Sequence, residues 1–178
     1  MNEEYYLQFI EKAIAWIISQ RDKYRLNARP WSSEELQEMA HFFPIAFLSN
    51  VKITEVPIIE NPPFYSELQG EEIVHLIDFN KIQGITFVDT ILISQAHYPK
   101  AHEWLPLIFH ELVHVAQYQL LGIDVFIEHY IKEFIEQGFR YENIFLESHA
   151  YELQNRYMTA PSMSFPVVEE VRRNLDIS

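Results

Sequence analysis

The stretch from Trp104 to Leu121 most constrains the fold. Trp104, Leu107, Ile108, Phe109, Leu112, Val113, Val115 and Leu121 fall around nearly the whole circumference of a helix. A helix that is apolar on all sides is a buried one, so the rest of the chain must enclose it. Pro106 suits its first turn and Gly122 its end. Within the run lie His110-Glu111-Leu112-Val113-His114, an H-E-x-x-H pattern. Burying two imidazoles and a carboxylate is costly unless they have partners, which points to a purpose for the three together.

The surrounding sequence predicts a single domain over residues 1–178. Its 48% hydrophobic and 15% aromatic content is that of a globular chain with a real core. No apolar run reaches the length of about eighteen residues that spans a bilayer, so no membrane segment is expected. Met1-Asn2-Glu3-Glu4 lacks the basic start of a secretory signal, and the expected location is cytoplasmic. A net charge of −13 would repel phosphates, which argues against nucleic acid as a partner. Cysteine is absent, so any metal site must draw on histidine and carboxylate ligands.

Periodicity divides the chain into helices, then strands, then helices. Residues 3–22 read as a helix with two apolar stripes, the sign of an element wedged into a core. Ser32, with Glu35 three residues on, predicts a capping box opening a short helix that runs to Pro44. Residues 51–56 alternate as a half-buried strand. Residues 73–79 fit strand or helix equally. Ile85 to Ile93 reads as one strong strand, β-branched and bounded by turn residues. Beyond the central helix, further helices are expected over 126–138, over 141–157 and after Pro166. The order predicts an α+β fold in which a small antiparallel or mixed sheet is packed on one side by helices.

Histidines four apart on a helix share one face, with Cβ atoms about 6 Å apart, and both can reach one zinc ion. Glu111, beside the first ligand, is placed to act as a general base toward a water activated by the metal. A third ligand is needed. His129 is one candidate and Glu147 the better one. Glu147 lies four residues before Tyr151 and beside the small Ala150, so it completes a His–His–Glu set if its helix packs on the first. Tyr151 could then donate to a developing oxyanion. Tyr118, Tyr130 and Tyr141 are weaker candidates for that role. Gln117, one turn after His114, serves the site or is an ordinary polar residue. His149 points away from Glu147 and is expected at the surface or behind a ligand. His75, His97 and His102 are read as surface residues. Arg140 and Arg156 flank the third helix, in ion pairs or against a peptide carboxylate.

His110-Glu111-x-x-His114-x-x-Gln117, with Leu146-Glu147-x-x-Ala150-Tyr151 about thirty residues on, resembles the zincin metallopeptidases, specifically the glutamate-liganded gluzincins. It is most similar to small zincin-like proteins with a Leu-Glu-x-x-Ala-Tyr-Glu segment. The resemblance covers roughly residues 84–157. It implies Zn²⁺ at His110, His114 and Glu147, with Glu111 as base. It also implies a peptide or protein substrate paired along an edge strand at residues 85–93. Thermolysin-like members carry Asn before the ligand Glu and Asp four after it, where this chain has Leu146 and Tyr151. The carboxylate that orients a ligand histidine must therefore be replaced by Asp89, Glu128 or a backbone carbonyl. The large substrate lobe of such enzymes is also missing. Two other readings follow: a binding or regulatory module whose zinc is a structural staple, closed by Glu152, His149 or Tyr151, and a latent enzyme with residues 161–178 over its cleft.

Overall fold

The computed structural model describes residues 3–67, 76–160 and 163–177. Its helices are α1 (Glu3–Arg25), α2 (Ser33–Met39), α3 (Ile45–Leu48), α4 (Ala101–Leu121), α5 (Ile123–Glu136), α6 (Phe145–Thr159) and α7 (Val167–Asn174). Strands β1 (Lys52–Val56), β2 (Gly84–Phe87) and β3 (Thr90–Ser94) form a mixed sheet in the order β1-β3-β2. β1 runs parallel to β3, and β2 antiparallel to it. The fold is α+β, with a small mixed sheet packed on helices.

Two expectations about the sheet are corrected. The stretch 85–93 is not one strand but a hairpin, because Phe87 pairs with Thr90 across a turn at Val88-Asp89. Val88 adopts φ 62°, a conformation costly for a β-branched residue. Helices also cover both faces of the sheet rather than one. Successive residues of a strand point to opposite faces. Ile91 and Ile93 pack with Ile108, Phe109 and Leu112 of α4, whereas Leu92 and Phe87 pack with Ile10, Ala13 and Ile17 of α1. β3 is therefore buried along its whole length.

Local rules account for the remaining elements. Ser32 and Glu35 form the predicted capping box on α2. The chain then turns at Pro44 into the short α3, where the sequence pattern showed only an end. Leu76 to Lys81 includes a 3-10 turn over Phe79–Lys81 rather than a strand, while residues 73–75 lie outside the described residues. α4 begins at Ala101, so Pro106 falls in its second turn and not its first. Its missing N–H is opposite the carbonyl of His102, an exposed residue. Gly122, at φ 75°, ends α4 and lets α5 begin at the next residue. α6 is entered through a 3-10 turn, and Glu133 of α5 accepts from the Phe145 N–H at 2.7 Å. Ala116 and Ala150 are fully buried in the core shared by α4 and α6.

Candidate metal centre

The packing of α4 against α6 brings three side chains to one point. His110 Nε2 and His114 Nε2 lie 3.1 Å apart. Glu147 Oε2 lies 3.3 Å from the first and 3.4 Å from the second. All three residues are buried, and they could together hold a metal ion. Tetrahedral ligands about 2.1 Å from zinc stand about 3.4 Å from one another, so the triangle has the dimensions of a ligand face. Glu147 Oε2 has no hydrogen-bond partner among the described residues, as suits an oxygen reserved for a cation. The donor set fits a metal ion without further rearrangement.

Neighbouring side chains hold His114 and Glu147 in place, whereas His110 Nδ1 has no hydrogen-bond partner among the described residues. Gln117 Oε1 lies 2.8 Å from His114 Nδ1, and its amide donates to the Leu146 carbonyl at 2.9 Å. With a proton on Nδ1, the lone pair of Nε2 faces the cluster. Gln117 thus replaces the orienting carboxylate for which Asp89 and Glu128 were considered. Asp89 is instead ion-paired with Arg25, and Glu128 is exposed. Tyr130 donates its hydroxyl to Glu147 Oε1 at 2.9 Å. Glu147 lies in the first turn of α6, where the helix dipole favours negative charge.

Glu111 points from the same helix toward the sheet. Thr86 Oγ1 is 2.7 Å from Glu111 Oε2 and 3.0 Å from the Glu111 carbonyl. A Cβ on Gly84 would come within 3.1 Å of Glu111 Oε1 and 3.2 Å of Leu107 Cδ1, so glycine makes room for the carboxylate. Sequence reasoning found neither Thr86 nor Gly84. Their common signal is the alternation that turns residues 84 and 86 toward α4 once β2 is an edge strand.

Electrostatics separate the carboxylates. Burial pushes Glu111 above the usual carboxylate range, and Glu147 adds to that; His110, His114 and Thr86 pull the other way. Burial also acts on Glu147, but His114 and His110 outweigh it and hold its pKa far below the ordinary value. Burial opposes a charge on His114, yet Glu147, with help from Glu111 and Gln117, raises its pKa to about 9. In the metal-free protein a proton on the imidazole therefore balances the Glu147 charge.

The other expected residues divide. Tyr151 stands at the rim, 47% exposed, with its ring 4.5 Å from that of His110. Burial, then Glu147, raises its pKa, which keeps the hydroxyl a donor. Tyr118 is stacked on Phe126 at 3.7 Å inside the core. His129, the alternative ligand, is exposed on α5 and outside the cluster. His149 is not at the surface: it is buried on the far side of α6, in a separate cleft with Glu152, Arg156 and Glu170. Neither His149 nor Glu152 therefore closes the metal position. Arg156 pairs with Glu170 at 3.4 Å and lies over the Phe165 ring, whereas Arg140 is exposed. His97 and His102 are exposed, and His75 lies outside the described residues. Val167 and Val171 of α7 are fully buried in the core with α4. No described residue beyond Met158 lines the cavity at the cluster, so the covering tail is not seen.

That cavity has a volume of about 620 Å³ and includes His110, Glu111, His114, Glu147 and Tyr151 in its wall. Among the described residues no helix is long and apolar enough to cross a membrane. Comparison of the chain with protein-family models, with curated proteins and with solved structures finds no match.

Proposed function

We propose that this protein is a zinc-dependent peptidase of zincin-like, glutamate-liganded type. One observation carries the reading. Three ligand atoms at zinc spacing share a cavity with a second buried acid, Glu111, which is adjacent to a ligand but bonded elsewhere. A structural staple has no need of that acid; a hydrolase does. Zinc held by His110, His114 and Glu147 would supply Lewis acidity and bring the pKa of water down to about 7.

The chain supplies the remaining parts. Thr86 fixes Glu111 Oε2, leaving Oε1 to take the proton of the attacking water and pass it to the leaving amine nitrogen as the C–N bond breaks. Tyr151 donates at the rim to the oxygen that gains charge. An extended peptide would pair with the edge of β2, Gly84–Phe87. It would not run along 85–93, because β3 is interior to the sheet.

The test compares zinc-loaded protein with Glu111→Gln in hydrolysing casein or a peptide library. Loss of the general base is expected to reduce the rate by about 10²- to 10⁴-fold with zinc retained. Equal rates would reject the assignment.

A further inference from the structure

The cavity extends well beyond the metal cluster. On α5 it is lined by Phe126, Ile127, Tyr130, Ile131, Phe134 and Ile135. These positions form one stripe, and nine residues of helix rise about 14 Å. The facing wall on α1 is Phe9, Ala13, Trp16 and Ile17. Both walls belong to one apolar cluster, in which Ala13, Ile17, Ile127, Ile131 and Phe134 are buried and Phe9, Trp16, Tyr130 and Ile135 partly buried, so the channel is a recess between packed elements. Its volume of about 620 Å³ lies within the usual range for a bound small molecule.

Charge is confined to its ends. Among the described residues no Lys or Arg is in its wall, and apart from tyrosines the titratable groups are His102, Glu103 and the four residues at the metal cluster. Among the described residues an anionic ligand group would find no cation between α1 and α5. An apolar side chain of four or five bonds covers less than half the stripe, whereas an alkyl chain of roughly eleven carbons spans it.

We propose that this channel binds a long neutral acyl chain, so that the site acts on amides whose acyl part is such a chain. The idea rests on the hydrolase reading for its reaction. Water adds its oxygen to the acyl carbon, the C–N bond breaks, and the amine leaves with the proton. Binding of the chain does not depend on that reaction.

The experiment is calorimetric titration of the full chain with N-butanoyl, N-octanoyl and N-dodecanoyl glycinamide, using Glu111→Gln so that no turnover intervenes. Wild-type protein stripped of metal is titrated in parallel. Affinity should rise with length, by up to about fourfold per buried methylene. Ala13→Phe and Ile135→Trp, which narrow the channel away from the cluster, should abolish the rise while leaving zinc content near wild type. Affinity that is flat with chain length overturns the proposal. So does a rise that persists in both narrowed variants when they are folded, because the chain is then bound elsewhere. Length-dependent binding without hydrolysis by zinc-loaded wild type would reject the peptidase and keep the channel. Hydrolysis of casein with flat binding would do the reverse.

Discussion

Glu35 and Glu147 are both buried glutamates in the first turn of a helix, yet their surroundings differ in kind. Glu35 is saturated. Its oxygens accept from Arg29 at 2.5 and 2.9 Å, from the Ser32 N–H at 2.8 Å and from Trp104 Nε1 at 2.8 Å. Burial alone would raise its pKa, but Arg29, the Ser32 amide and Trp104 outweigh it. A permanent cation is built in, and the network ties α2 to the start of α4. Glu147 has neutralisable imidazoles where Glu35 has a guanidinium, and one oxygen is left without a hydrogen bond. The first arrangement serves stability. The second leaves room for an exchangeable cation.

The comparison can be broken at its strongest point. Glu35→Ala should destabilise the protein by about 3 kcal/mol, because partly buried Arg29 loses its two-bonded partner and keeps only the looser pair with Glu55 at 3.7 Å. Glu147→Gln in metal-free protein should cost less, because His114 can give up its proton and the amide oxygen can still accept from Tyr130. Urea unfolding of both variants decides, and equal losses would erase the distinction. Zinc at a hundredfold excess over its dissociation constant should stabilise wild type by about 2.7 kcal/mol, and should leave Glu147→Gln at its metal-free midpoint. Thermal scans with and without zinc measure this.

Smaller effects sharpen the picture. Gln117→Ala should weaken zinc binding by about 10- to 100-fold without removing a ligand, since His114 loses the group that fixes its ring. Competition against a chelating dye measures it. The pH dependence has a definite sign. His114, with its pKa raised to about 9, carries a proton that the metal must displace. Zinc affinity should therefore fall as pH drops below that value, approaching about tenfold per unit where one proton is released. Affinity independent of pH between 6 and 8, about two units apart, would contradict the proton-for-metal exchange.

Much of the centre was legible because helix spacing alone brings His110 and His114 to one face, and Ala150 marks where α6 can approach. Gln117 was legible in position but not in role, since only the packing of α6 supplies the Leu146 carbonyl that fixes its amide. Thr86 was hidden by the hairpin. Val88-Asp89 lacks the Asn-Gly or Asp-Gly signature of tight turns, so β2 and β3 read as one strand and the face of residue 86 was undefined. Tyr130 reaches Glu147 only because Gly122 turns α5 back without a loop. The channel could not be foreseen, since its walls come from α1, β2 and α5, far apart in sequence. Helices on both faces of the sheet follow from β3, whose uninterrupted apolar run marks a strand buried on both sides.

The most direct measurement is metal content after dialysis against zinc and then metal-free buffer. Wild type and Glu111→Gln should each retain one zinc per chain, and His114→Ala and Glu147→Gln none, with all four folded by circular dichroism. Zinc absent from wild type, or retained equally by the two ligand variants, would contradict that expectation.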